Sequence, residues 1–187
     1  MRTTRLNHEA NNAPEVYAAE TAMPQYPFRI VNVFADATAA QPAFTGNPLA
    51  VFEDARGMSS ETMQALALQF NLSETVFVLP SVKATRRIRI FTTAFEMPFA
   101  GHPTLGSAQV VRALTGADNS ITLETRAGVI PVAARGDTWT LTANAPQTRP
   151  WTHSRKALAQ MLNINADDLA DTPLWVNTGN EQLVVPL

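Results

Sequence analysis

The sequence predicts an α+β fold in which a mixed β-sheet curls around one central, buried helix. Between Leu105 and Thr115 the only charged residue is Arg112, and a helix that is apolar on nearly every side has to be covered on every side. Short segments rich in β-branched residues precede and follow this helix, which predicts strands. The 187 residues are enough for one domain with a sizeable core and for part of a second.

Composition excludes several classes of function. The chain has no cysteine, which rules out disulfides, thiolate catalysis and cysteine-rich zinc sites. The formal net charge is −2 and no basic cluster stands beyond Arg86, Arg87 and Arg89, so we expect no nucleic-acid partner. No apolar run approaches the length of a membrane span, so we expect no membrane partner either.

The N-terminal stretch is polar, aperiodic and rich in alanine and asparagine. We expect residues 1–25 to be a disordered extension, because nothing in them predicts a helix or a strand. The stretch also lacks the apolar centre of a signal peptide, so we expect a cytoplasmic location.

The first elements follow in order from Phe28. The segment "FRIVNVFA" predicts a strand, Gly46-Asn47-Pro48 a turn, and residues 49–52 a short buried strand. The segment "MSSETMQALALQFN" predicts a helix that begins at Ser59 or Ser60. Its core-facing residues recur at helical spacing, and these are Met63, Leu66, Ala67 and Phe70.

The central helix follows two further strands, "SETVFVLP" and "TRRIRIFTT", and opens in the segment "FAGHPTLG". We expect Gly101 or His102 to be its N-cap and Pro103 its first helical residue, where the missing N–H has no consequence. Gly116 is expected to stand just after its end.

The second half of the chain predicts a change of domain. Three short strands fill residues 120–144, the proline-rich "APQTRPW" reads as a linker, and a helix capped by Thr152 follows. A short helix and a strand–turn–strand end the sequence. We expect one domain over 26–148, with linker helices and the start of a second, only partly present domain over 149–187, because the final apolar strand "QLVVPL" looks unfinished.

The start of the central helix is a candidate anion site. Backbone N–H groups from Gly101 to Thr104, together with the helix dipole, favour a carboxylate; the alternative is a helix start with no ligand. The dipole disfavours a charged His102 and so favours a neutral imidazole that exchanges protons, and a purely capping histidine is the alternative. His8 and His153 receive no role, and no spaced set of ligands predicts a metal.

Glu74 is a candidate general base. It stands directly before the apolar strand "TVFVLP", and partial desolvation there would raise its pKa towards a useful range. The alternative is a solvated glutamate at the end of a strand. Glu96, which precedes Met97 and Pro98, is a similar case that we interpret as structural.

Several segments, in order, resemble the PhzF family, which is named for a phenazine-biosynthesis isomerase and is related to diaminopimelate epimerase. The segment "FTGNPLAVF" is similar to its G-N-P-x-A-V segment and "NLSETVFV" to its N-x-S-E-T-x-F signature. The segment "EMPFAGHPTLG" is similar to its E-x-P-F-x-G-H-P/A-T-x-G block. The resemblance covers roughly residues 26–187.

The resemblance implies a diaminopimelate epimerase-like fold of two similar domains, with the site between them. It implies that Glu74 is the catalytic acid/base, that His102 assists it, and that no cofactor is needed. Residues that would bind a small carboxylate-bearing substrate are Ser73, Gly101, Pro103 and Thr104. Asn47 is a further candidate that either touches the ligand or only shapes its turn. The family's second-half D-P-x-T-G-S-A loop has no counterpart in this sequence.

Two functions from different classes follow. The first is a PhzF-like isomerase or epimerase that moves a proton on a small carboxylate-bearing metabolite. The second is a non-catalytic, truncated protein that binds a ligand, a second copy of itself or a separate second-half chain without turnover.

Overall fold

A computed structural model describes residues 24–41 and 44–187. Nearly all of the predicted disordered extension over residues 1–25 lies outside these residues, as does His8. The elements in chain order are β1 (Phe28–Val33), β2 (Asn47–Phe52), α1 (Ser60–Phe70), β3 (Thr75–Leu79), β4 (Arg86–Phe91), β5 (Glu96–Met97), α2 (Gly101–Thr115), β6 (Ser120–Thr125), β7 (Gly128–Arg135), β8 (Thr138–Leu141), β9 (Gln147–Pro150), α3 (Arg155–Leu162), β10 (Leu174–Asn177) and β11 (Glu181–Val184). A 3₁₀ turn at Ala166–Asp168 replaces the predicted short helix.

The larger sheet is mixed and curls around α2, which confirms the predicted α+β architecture. Its strand order is β1-β2-β3-β4-β6-β7-β8, with β5 paired to β4. The pairs β2–β3 and β4–β6 are parallel and the other neighbours are antiparallel. Helix α2 contacts six of these strands, β1, β2, β3, β4, β6 and β8.

Apolar side chains cover the sheet on both faces. One core cluster joins Val110 and Val111 of α2 to strand residues such as Leu49 and Ile90. A second cluster joins Met63 of α1 to the outer face of the sheet. Because strands of such a sheet are buried on both sides, β2 and β3 are almost continuously apolar rather than alternating.

Burial of α2 on all sides, which the sequence predicts, is wrong for part of the helix. Gln109, Ala113 and Leu114 are exposed. For Gln109 the physical reason is that the sheet does not close: β1 and β8 are its two ends, and a cavity of about 580 Å³ between them is lined by Gln109, among others.

The start of α1 agrees with the prediction, and the start of α2 differs from it. Ser59 caps α1, as expected, but α2 begins at Gly101 with Ala100 as its N-cap. Pro103 is therefore the third helical residue, still in the first turn, where its missing N–H has no intrahelical acceptor to lose. The hydroxyl of Thr104 donates to the carbonyl oxygen of Ala100 at 2.7 Å, which stabilises this earlier start.

The predicted linker "APQTRPW" is instead part of a second, three-stranded sheet in the order β11-β10-β9. Strand β9 spans the predicted domain boundary at residues 148 and 149 and pairs antiparallel with β10. The guanidinium of Arg149 lies 4.6 Å from the ring centroid of Trp175 on β10. Helix α3, which follows, is capped by Ser154 rather than by Thr152, because the Ser154 hydroxyl accepts from the Ala157 N–H.

Within residues 24–41 and 44–187, every helix is too short or too polar to cross a bilayer.

Candidate active site

Three chain segments converge at the start of α2. Asn47 begins β2, and Ser73 and Glu74 directly precede β3. Because β2 and β3 are parallel neighbours, with Ala50 opposite Thr75, their first residues lie at the same edge of the sheet. Helix α2 begins next to this edge of the sheet, so His102 in its first turn lies close to Asn47 and Glu74.

Glu74 and His102 form the centre of the site. Glu74 Oε2 lies 3.2 Å from His102 Nε2, and the two side chains are only 15% and 11% exposed. The two atoms do not have the geometry of a hydrogen bond, and both are buried without any hydrogen-bond partner. Since buried polar atoms are normally paired, both atoms are available to a bound molecule.

Burial favours the neutral form of each group. Desolvation raises the pKa of the Glu74 carboxyl above its ordinary value of 4.5, as the sequence predicts. Desolvation also lowers the pKa of His102 below its ordinary value of 6.5. The neutral imidazole predicted from the helix dipole is therefore favoured by burial, and the solvated alternative for Glu74 is wrong.

Asn47 contacts the ring nitrogen of His102 that faces away from Glu74, and Ser73 contacts Asn47. The side-chain amide nitrogen of Asn47 lies 3.3 Å from His102 Nδ1. The hydroxyl of Ser73 donates to Asn47 Oδ1 at 3.3 Å. The side chain of Asn47 therefore reaches across to α2, and its contact with a ligand stays a prediction.

The N-terminus of α2 offers fewer free backbone N–H groups to an anion than the sequence predicts. Pro103 has no N–H, and the Thr104 N–H is directed at the Ala100 carbonyl oxygen at 3.3 Å. Both Pro103 and Thr104 are buried. The exposed Gly101 and the half-buried His102 supply the N–H groups that a helix start leaves without an intrahelical acceptor.

The β10–β11 turn is a neighbour of the site that sequence reasoning missed. A Cβ added to Gly179 would stand 2.6 Å from Ala127 Cβ and 3.0 Å from Phe99 Cβ. Phe99 directly precedes the N-cap of α2, so this turn supports the start of the site helix. The segment "NTGN" predicts a turn, but no local signal indicates what the turn contacts.

In the described part of the chain, no three His, Asp or Glu side chains lie close enough together to hold a metal ion. Glu96, the second glutamate considered, is engaged elsewhere: Arg89 donates two hydrogen bonds to it, at 2.9 and 2.7 Å.

Comparison with known sequences gives one consistent result. The model of the family described as phenazine biosynthesis-like protein matches residues 31–187. An uncharacterized isomerase of Pasteurella multocida is 37% identical over 175 residues, which are 87% of this chain and 55% of the relative. A trans-2,3-dihydro-3-hydroxyanthranilate isomerase of Pseudomonas aeruginosa is 46% identical over 124 residues, 65% of this chain and 44% of the relative. The chain spans about half the length of these relatives.

Solved structures agree on the fold. A predicted epimerase of Pseudomonas aeruginosa matches with a TM-score of 0.73 and 30% identity, over 87% of this chain and 60% of that one. A PhzF-family protein of Bacillus anthracis matches with a TM-score of 0.66 and 34% identity, over 85% and 56%. A hydroxyproline epimerase of Agrobacterium vitis, at 11% identity and a TM-score of 0.53 over 75% and 48%, shares the fold.

Proposed function

The chain belongs to the family of phenazine biosynthesis-like proteins, and from this premise we propose that it is a cofactor-independent isomerase or epimerase that moves a proton on a small carboxylate-bearing metabolite. Its relatives named above are isomerases. In this proposal Glu74 is the general acid/base, and His102 assists it.

One observation carries the proposal: Glu74 Oε2 and His102 Nε2 are 3.2 Å apart, and both are buried without a hydrogen-bond partner. A carboxylate with a raised pKa is a stronger base than a solvated one, and it holds the abstracted proton more readily for return. An adjacent imidazole N–H stabilises the negative charge that develops on the substrate when the proton leaves carbon.

The substrate carboxylate is assigned to the start of α2. The N–H groups of Gly101 and His102 point out of the helix end, and the dipole of a helix of this length favours an anion there. This places the anion next to the proton-transfer pair, since His102 belongs to both. The name of the Pseudomonas aeruginosa relative contains such a molecule, an anthranilate, which makes it the first substrate to test.

The test is proton exchange in deuterated water. The 187-residue chain is incubated with trans-2,3-dihydro-3-hydroxyanthranilate, and mass spectrometry follows deuterium incorporation and isomer formation. Glu74→Gln keeps the shape of the side chain but cannot accept the proton, so the rate should fall by about 10²–10⁴-fold. Glu61→Gln, an exposed glutamate at the start of α1, is the matched control and should retain the rate. Wild-type exchange in the Glu74→Gln variant would contradict the role of Glu74.

A second candidate is ligand binding without turnover, which the buried Glu74 and His102 atoms without hydrogen-bond partners also support. The chain covers 55% and 44% of the two relatives described above, so residues beyond this length contribute to their activity in this alternative. The chain would then bind the carboxylate ligand alone, as a homodimer, or with a chain that supplies the remaining residues. Saturable ligand shifts in NMR spectra without deuterium exchange would favour this candidate, and analytical ultracentrifugation would give its oligomeric state.

A further inference from the structure

His102 has a distinct neighbour at each ring nitrogen. Asn47 Nδ2 lies 3.3 Å from Nδ1, and Glu74 Oε2 lies 3.2 Å from Nε2. A neutral imidazole carries its proton on only one nitrogen, and its hydrogen-bond partners decide which one. The chemistry that His102 offers a substrate therefore depends on these two neighbours.

Asn47 alone is compatible with two arrangements. Its amide nitrogen donates to a bare Nδ1 in one, and its amide oxygen accepts from a protonated Nδ1 in the other. The Ser73 hydroxyl suits both, because it donates to an amide oxygen or accepts from an amide nitrogen. Asn47 and Ser73 can therefore form either of two complete hydrogen-bond networks with His102.

Glu74 decides between the two networks. At a pH above the raised pKa of Glu74 the carboxylate is ionised, and in the second network it faces the lone pair of a bare Nε2 across 3.2 Å. Both atoms are buried, so water cannot screen this repulsion. In the first network Nε2 carries the proton and is attracted to the carboxylate. The charge of Glu74 therefore selects the network in which Ser73 donates to Asn47 and Asn47 donates to Nδ1.

We propose that Asn47, in the network that Ser73 completes and the charge of Glu74 selects, is a positioning residue that holds His102 as the tautomer protonated on Nε2. The ring then presents an N–H donor beside the Glu74 carboxylate. Glu74 is left as the proton acceptor and His102 as the hydrogen-bond donor to the charge that develops on the substrate. This catalytic consequence rests on the proposed function, whereas the tautomer itself is a property of the chain without substrate.

The backbone before Asn47 is suited to this positioning role. Gly46 has a φ of +79°, and a Cβ on it would collide with the carbonyl oxygen of Val33. Asn47 is paired with Val33 across the β1–β2 ladder. Its side chain therefore starts from a closely packed strand end, which limits the directions in which the amide can point.

The test reads the tautomer directly. Long-range ¹H–¹⁵N NMR spectra separate protonated from bare ring nitrogens and show which of them couples to each ring carbon proton. The chain has three histidines, and a His102→Gln variant identifies the signals of His102. Spectra are recorded at about pH 8.5, two units above the ordinary value for histidine, where the ring is neutral. The wild-type chain should show the Nε2–H pattern, and an Nδ1–H pattern would overturn the proposal.

Two variants separate the influence of Asn47 from that of Glu74. Asn47→Asp replaces the donor by a carboxylate that only accepts, so His102 should change to the Nδ1–H form or become doubly protonated. Glu74→Gln removes the charge that selects the network and provides an amide that suits either tautomer, so His102 should become a mixture of Nε2–H and Nδ1–H forms. Retention of Nε2–H in Asn47→Asp, or an unchanged single Nε2–H form in Glu74→Gln, would contradict the proposed network.

The controls keep this result independent of folding and of turnover. Asn119→Asp changes an exposed amide whose oxygen accepts from Arg112, near the other end of α2, and it should leave the His102 spectrum unchanged. Dispersed backbone amide spectra establish that each variant is folded. If Asn47→Asp does not fold, Asn47→Ala removes the donor at Nδ1 and should shift the Nδ1 resonance of His102 towards that of an imidazole nitrogen without a hydrogen bond. An unchanged Nδ1 resonance in Asn47→Ala would then overturn the proposal. Loss of exchange in Glu74→Gln tests the proposed function separately.

Discussion

Two glutamates that precede apolar residues have opposite surroundings. Glu74 has no cationic side chain bonded to it, and desolvation raises its pKa. Glu96 accepts hydrogen bonds from Arg89 and lies 3.3 Å from Arg126, and the bonds from Arg89 are the main reason that its pKa lies below the ordinary value. Glu74 is therefore suited to proton transfer, and Glu96 to holding the sheet together.

Glu74 should make the folded wild-type chain less stable as the pH rises, and Glu74→Gln should abolish this pH dependence. The folded chain retains a proton on Glu74 at pH values where the unfolded chain has released it. The free energy of unfolding therefore falls as the pH rises from the ordinary value of 4.5 through the raised one. Glutamine has no proton to release, so this fall should be absent from urea unfolding measured over a pH series.

Glu96→Gln is the contrasting variant, with the opposite sign. A lowered pKa contributes stability that is present above the ordinary value of 4.5 and is lost as the pH falls through the lowered value. Removing this partly buried ion pair should lower the free energy of unfolding at neutral pH by about 1–3 kcal/mol, after allowance for screening by solvent.

A Glu74→Gln chain with the same pH dependence as the wild type would contradict the assigned desolvation.

At the scale of elements, α2 packs closely against β1 and β2 at Gly106, which has no side chain. A Cβ on Gly106 would stand 2.7 Å from Leu49 Cδ2 and 2.8 Å from Val33 Cγ2. Leu49 is fully buried, so its side chain has little room to move. This close approach places the first turns of α2, and with them His102, next to the strand that carries Asn47.

Gly106→Ala should therefore destabilise the chain although alanine is the better helix former. Overpacking of a core costs about 1–3 kcal/mol, and the gain in helix propensity returns less than about 1 kcal/mol. Gly101→Ala is the matched control in the same helix, because nothing lies within 4 Å of its added Cβ. Urea unfolding should show a loss for Gly106→Ala alone, and equal stabilities would show that α2 shifts freely on the sheet.

At the scale of the whole molecule, the two sheets meet beside the site. The β10–β11 turn of the smaller sheet places Gly179 against Phe99, just before α2, and against Ala127 in the β6–β7 turn of the larger sheet. The side-chain amide of Asn144 donates to the Ala127 carbonyl oxygen at 2.8 Å, and the Ala127 N–H donates to the Pro98 carbonyl oxygen at 3.2 Å. The position of the helix start thus depends on both sheets.

Gly179→Ala tests this contact, with Gly128→Ala as its control. Both glycines have a left-handed φ, +129° and +123°, but nothing lies within 4 Å of a Cβ on Gly128. The backbone strain is common to both variants, so the overpacking at Gly179 should appear as an additional loss of about 1–3 kcal/mol. Only Gly179→Ala should shift the amide signals of residues 99–102. Shifts of equal size in both variants would contradict the inference that the β10–β11 turn supports the start of α2.

The sequence by itself determined the order of most elements, the start of α1 to within one residue and the segments that meet at the candidate site. These depend on hydrophobic periodicity, turn residues and motifs, all of which act between neighbours in the chain. The tertiary structure decided that "APQTRPW" contains a strand, because its partner β10 lies more than twenty residues further along. It also decided how the site residues are connected: Asn47 reaches His102 across 55 positions. Burial acts to raise the pKa of both carboxyls, and the pKa of Glu96 is nevertheless lowered because the fold brings Arg89 against Glu96 and no arginine against Glu74.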